Sequence, residues 1–126
     1  HLQQLTREID RRVIESLLVT GFPYNVHEDP ERALKVFGQV LGQARAVRRF
    51  GSAAIDLCWV AAGRMDGFWE EQLKPWDTRA AALIVQEAGG RVTGMDGTPF
   101  NAYGGHILAS NGPLHDDLIR ILQGEK

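Results

Sequence analysis

The chain has 126 residues, 44% of them hydrophobic and 24% charged, with a net charge of −2, which fits one soluble globular domain that buries most of its apolar surface. The near-neutral charge points away from nucleic acid and from an anionic membrane surface, and no apolar run reaches the length of a bilayer span. Cys58 is the only cysteine, which excludes an internal disulfide and a cysteine-cage metal site and makes the cytoplasm the default location. The sequence opens at His1 without a basic-then-apolar leader, and a start at His is expected of a cut end or an incomplete chain.

In chain order, Leu5, Ile9, Val13 and Leu17 recur at fourfold spacing within the polar stretch His1–Ser16. This stretch reads either as a short amphipathic helix or as a strand-rich connector from something upstream. Leu17–Phe22, punctuated by Gly21 and Pro23, reads as a buried strand, and Pro23–Glu28 as a loop. Asp29-Pro30 with Glu31 in the first turn is a strong helix start, and Leu34, Phe37, Val40, Leu41 and Ala44 form that helix's apolar face. Ala46–Phe50 predicts a short strand. Ser52 then caps a helix from Ala53 to Ala62 that is apolar nearly all round, hence buried, and Gly63 ends it in a left-handed conformation.

Met65–Glu70 predicts a strand that runs into a loop, Glu71–Pro75. A third helix follows from about Asp77 to Ala88, closed by Gly89-Gly90. Arg91–Thr93 is a strand, Asp96-Gly97 a hairpin-type turn, and His106–Ser110 a further strand. Asn111 or Gly112 opens a last helix lined by Leu114, Leu118, Ile121 and Leu122. The alternation predicts an α/β fold, a mixed central sheet with helices on both faces.

Glu70 ends a predicted strand and Asp77 begins a helix after a short loop, at the end of the elements where α/β proteins place ligands. Asp77 has two readings. It caps its helix by accepting backbone N–H bonds, or it presents a hard oxygen to a cation such as Mg²⁺. Trp76 beside it is either a rigid wall or core filler. Asp56, inside an apolar helix, needs local partners if it is buried and is read as structural. Cys58 is read as core, Trp59 and Trp69 as packing, and His27, His106 and His115 as surface or locally satisfied residues.

Several separated segments, taken together, resemble the carboxy-terminal half of the inositol monophosphatase family. They are Gly51-Ser52-Ala53-Ala54, Asp56-Leu57, Val60–Arg64, Asp66-Gly67-Phe68 with Glu70, Trp76-Asp77, and Glu87–Gly90, while Leu18–Tyr24 is like the family's bacterial members. The resemblance spans Leu17 to about Leu122, and its ordered motifs make it specific. It implies the C-terminal half of a sugar-phosphatase-like fold over residues 17–126, with residues 1–16 as a connector from a missing upstream domain. It also implies that Asp77 coordinates a catalytic Mg²⁺, that Glu70 hydrogen-bonds a substrate hydroxyl, and that Gly51, Ser52 and Ala53 contact the sugar or inositol ring.

No catalytic residue beyond that metal ligand is expected. The family's first metal-binding segment, Asp-Pro-x-Asp-Gly-Thr with an upstream Glu, has no counterpart before Leu17, and Asp96-Gly97-Thr98 reads as a turn rather than its substitute. Arg79 stands where the family often has a small residue, facing solvent or reaching a phosphate. Lys74 stands where some relatives have a histidine, and Ala81 replaces a common glycine.

The implied activity is Mg²⁺-dependent hydrolysis of a phosphate monoester, foremost inositol 1-phosphate, in a complete, lithium-sensitive, homodimeric enzyme, with the isolated chain inactive. The alternatives are a related phosphatase of fructose 1,6-bisphosphate, 3′-phosphoadenosine nucleotides or histidinol phosphate, or a non-enzymatic assembly module. A face around Gly51–Ala54 and Trp76 is expected to be exposed and partly apolar, where the missing domain would pack.

Overall fold

A computed structural model describes residues 13–22 and 27–124. The helix or connector expected within His1–Ser16 lies almost wholly outside the described residues, as do residues 23–26 of the loop expected at 23–28. Five strands, β1 (Leu17–Thr20), β2 (Ala46–Arg48), β3 (Gly67–Glu71), β4 (Arg91–Thr93) and β5 (His106–Ser110), form one mixed sheet in the order β2-β1-β3-β5-β4. β1 pairs in parallel with both β2 and β3, and β5 runs antiparallel to β3 and β4. Four helices cover it: α1 (Pro30–Leu41), α2 (Ala53–Ala61), α3 (Pro75–Glu87) and α4 (His115–Leu122). The α/β mixed sheet with helices on both faces is the predicted architecture.

The strands are apolar on successive residues because both faces of the sheet are covered. Val19, Phe68, Ile107 and Ala109 point into one core with Leu57 and Val60 of α2 and Ala81, Ala82 and Val85 of α3. Their neighbours Leu18, Trp69 and Leu108 point the other way, to Val40 of α1 and Leu118, Ile121 and Leu122 of α4. Asp66 ties three strand ends together. Its carboxylate accepts the Leu17 N–H at 2.8 Å, its own N–H donates to the Leu17 carbonyl at 2.8 Å, and its carbonyl accepts the Asn111 N–H at 3.0 Å.

The helix starts follow their caps. Asp29 accepts the Arg32 N–H ahead of Pro30, and Ser52 Oγ accepts the Ile55 N–H at 3.4 Å. Gly63 and Gly89 follow the ends of α2 and α3 at φ +78° and +89°, the left-handed exit that glycine allows. Asp96 forms the expected turn, its Oδ1 accepting both the N–H and the hydroxyl of Thr98.

Several expectations change. The strand after α1 stops at Arg48 rather than Phe50, β3 runs Gly67–Glu71, and α4 starts at His115 after a turn over Gly112, not at Asn111. Leu34 and Leu41 of α1 are exposed, and the helix packs instead through Val36, Phe37 and Val40. The helix α2 is only half buried: Asp56, Leu57 and Val60 face in, while Ile55 is 51% exposed and Cys58 is exposed rather than core. An all-apolar helix carries no signal for which side meets the sheet, so periodicity cannot reveal an outer face reserved for another layer. Among the described residues no helix is long and apolar enough to cross a membrane.

Candidate active site

The connections bring the candidate residues to one end of the sheet. Because β1, β2 and β3 are parallel, the segments that leave β2 for α2 and β3 for α3 emerge at the same carboxyl ends. The helix following β1 packs on one face and the helix following β3 on the other. The adjacent pair β1/β3 is therefore a topological switch point, the place where open α/β sheets leave a crevice for ligands.

At that end lie Glu70, near the close of β3, and the first turns of α2 and α3. Glu70 shares the sheet face of Phe68, the α2/α3 face. Burial, then the negative charge of Asp56 and then that of Asp77, push its carboxyl pKa up to about 7, and Arg49 opposes the shift. The charges of Asp56 on α2 and Asp77 on α3 thus both reach Glu70 on β3. Asp56 is 1% exposed with neither carboxylate oxygen hydrogen-bonded among the described residues, so the expected local partners are absent and burial lifts its pKa to about 6.

Asp77 is in the first turn of α3, not at its mouth, because the helix already begins at Pro75. Its Oδ2 accepts the Lys74 backbone N–H at 3.1 Å, the return half of a capping arrangement. Its Oδ1 takes no hydrogen bond among the described residues. The capping reading holds for one oxygen, and the other is left uncommitted. Trp76, beside it, is not core filler within this chain, being 79% exposed.

Gly51 has φ +92°, Ser52 caps α2 and Ala53 opens it, so this segment presents the free N–H groups of a helix start. Lys74 and Arg79 are exposed, and Lys74 lines an open hollow of about 760 Å³ with Gln72, Pro75 and Tyr103. A second cavity of about 520 Å³, lined by Arg32, Lys35, Gln39, Glu71 and His106, lies on the α1/α4 face and includes none of the candidate residues.

Two histidines are held by local hydrogen bonds. His115 is fully buried, with Nδ1 2.8 Å from Ser110 Oγ and Nε2 2.8 Å from Thr93 Oγ1. The Thr93 hydroxyl donates to the Gly94 carbonyl, so it accepts from His115, which puts the ring proton on Nε2. Burial, then the charge of Arg91, hold this ring's pKa down to about 4. His106 Nδ1 accepts the Met95 N–H. One feature at the site escaped sequence reasoning, Gln72, held at φ 59° just after β3, whereas Asp56 was noted but read as structural. A non-glycine left-handed residue leaves no mark in sequence, whereas an acid in an apolar helix is itself a signal.

Among the described residues no group of three or more His, Cys, Asp or Glu side chains is arranged to hold a metal ion. The uncommitted Asp77 oxygen is a donor suited to Mg²⁺, which accepts one or two carboxylates and keeps waters. The fit is that of one ligand in a larger set.

An α/β fold with an acid group at the switch point defines the class. The chain belongs to the inositol monophosphatase family, whose family model matches residues 3–126. It is 45% identical over 107 residues to "Phosphatase IMPL1, chloroplastic" of Arabidopsis thaliana, covering 85% of this chain and 29% of the relative. It is 42% identical over 114 residues to the inositol-1-monophosphatase of Caulobacter vibrioides, covering 90% and 44%. The inositol monophosphatase structure from Anabaena (Nostoc) superposes with a TM-score of 0.86 at 45% identity, covering 91% of this chain and 46% of that one. The chain thus spans less than half the length of these relatives.

Proposed function

We propose that this chain is the carboxy-terminal half of a Mg²⁺-dependent phosphate-monoester hydrolase whose foremost substrate is inositol 1-phosphate. The observation that carries the reading is the meeting of Glu70 and Asp77 at the β1/β3 switch point with one Asp77 oxygen uncommitted. Bound divalent metal supplies charge neutralisation of the phosphate and a nucleophilic water in such chemistry. In this reading Asp77 provides one ligand and the upstream part of the protein the rest. Glu70 accepts a hydrogen bond from a ring hydroxyl, and the N–H groups at Gly51, Ser52 and Ala53 border the ring. The names of the relatives from Arabidopsis and Caulobacter support the activity, and the shared length supports the partial character.

The outer side of the α2/α3 layer supports the same reading. Ile55 and Cys58 of α2 and Trp76, Leu83 and Ile84 of α3 all face outward, an apolar surface of the kind that marks an interface. Its occupant is the missing upstream half of the fold. Homodimerisation, lithium inhibition and a cytoplasmic location belong to the complete enzyme in this proposal.

The test is phosphate release by the full-length protein. Asp77→Asn is expected to lower Mg²⁺-dependent turnover of inositol 1-phosphate by about 100-fold or more, because a lost charged ligand is not replaced by an amide. The 126-residue chain alone is expected to be inactive. Undiminished turnover in Asp77→Asn, or robust turnover by the isolated chain, sinks the reading. A panel with fructose 1,6-bisphosphate, a 3′-phosphoadenosine nucleotide and histidinol phosphate decides the substrate. The assembly-module alternative is favoured if no substrate is hydrolysed.

A further inference from the structure

Gly21 immediately follows β1. The last parallel pair is Thr20 with Trp69, reinforced by the Thr20 hydroxyl donating to the Trp69 carbonyl at 2.7 Å, so residue 21 stands across from Glu70. Parallel neighbours in register point the same way, and alternation puts residue 21 on the face of Val19, Phe68 and Glu70. A Cβ built on Gly21 would lie 2.0 Å from Glu70 Oε1 and 2.6 Å from Glu70 Cδ. The Glu70 carboxylate therefore occupies the volume a side chain at 21 would need.

Backbone conformation does not explain the glycine, since Gly21 is not one of the residues at positive φ. The next residue is held in place, with the Phe22 ring 5.9 Å from Phe37 and the Arg49 guanidinium 5.2 Å from its centroid. The charges felt by Glu70 are those of Asp56 on α2, Asp77 on α3 and Arg49 just after β2. The seat left open over Gly21 is where the carboxylate settles among them.

We propose that Gly21 is a positioning residue for the substrate-facing carboxylate, its missing Cβ being the seat in which Glu70 is held toward the starts of α2 and α3. The proposal deepens the phosphatase reading and rests on the assignment of Glu70 to a substrate hydroxyl. It predicts that any larger residue at 21 displaces the carboxylate and not the strand, because the atoms met are the end of a flexible side chain.

The experiment compares Gly21→Ala, Glu70→Gln and the double variant in the full-length enzyme with inositol 1-phosphate and Mg²⁺. Gly21→Ala is expected to raise KM about tenfold, the loss of one charge-assisted hydrogen bond, with kcat changing far less and the melting temperature unchanged. The double variant is expected to be no worse than Glu70→Gln, because both remove the same contact. In the metal-free protein, carboxyl NMR is expected to show Glu70 titrating below about 7 once the methyl group added by Gly21→Ala expels it toward water. A raised KM in Glu70→Gln beside an unchanged KM and an unchanged Glu70 titration in Gly21→Ala overturns the proposal. An unchanged KM in Glu70→Gln overturns the substrate assignment, and the proposal with it.

Discussion

Both carboxylate oxygens of Asp56 are buried without a hydrogen-bond partner among the described residues, and burial raises its pKa from 3.8 to about 6. A raised folded-state pKa means the neutral acid suits the fold. That stability is fully present below the unfolded value and is lost as pH rises through about 6. Glu70 acts in the same direction, from 4.5 to about 7. His115 acts in the opposite one: its pKa falls from 6.5 to about 4, so its contribution is present above 6.5 and lost as pH falls toward 4. In the 126-residue chain, Asp56→Asn is expected to add on the order of 2 kcal/mol at pH 8 and little at pH 4, as read by urea denaturation. A gain at pH 4 as large as that at pH 8 would contradict the charge argument. That Asp56 sits in an apolar helix was plain in the sequence. Its lack of partners was not, because partners come from chain far away.

Caps and exits of the helices follow local rules, which is why Asp29-Pro30, Ser52 and Gly63 all mark boundaries where sequence placed them. The junction between α3 and β4 is decided by packing instead. A Cβ on Gly90 would come within 2.5 Å of the Ser110 carbonyl oxygen and 2.8 Å of Val85 Cγ1, so α3 lies against the sheet only if residue 90 has no side chain. Gly90→Ala is expected to destabilise the chain by about 3 kcal/mol, an overpacking cost against a backbone atom that cannot move cheaply. Gly63→Ala, where a Cβ meets nothing within 4 Å, is expected to cost only about 1 kcal/mol from its left-handed conformation. Thermal unfolding of both variants checks the ranking, and equal losses would show that strain at Gly90 is relieved by movement of α3.

At the scale of the molecule, the outer side of the α2/α3 layer is uncovered among the described residues, with Trp76 79% and Leu83 56% exposed. Apolar side chains gathered on one surface associate when nothing covers them. The isolated chain is expected to self-associate at micromolar concentration, and the pair Ile55→Lys with Leu83→Lys to make it monomeric without loss of helix content, in sedimentation equilibrium and circular dichroism. In the full-length protein the same pair is expected to disrupt folding if, as proposed, the upstream part of the protein packs on that surface. A monomeric parent chain would show that the exposed side chains do not drive association.

What sequence determined by itself was the string of elements, the caps of α1 and α2, the Asp96-Gly97 turn, the alternation that makes an α/β sheet, and the family to which Glu70, Trp76-Asp77 and Gly89-Gly90 belong. Only the tertiary structure decided which side of α2 is buried, that Asp56 is left without a partner, that Asp77 spends one oxygen on the Lys74 N–H, and that Glu70 rests over Gly21. Residues 21 and 70 are brought together by the parallel register of β1 with β3, and such contacts between distant segments leave no local pattern from which they can be read.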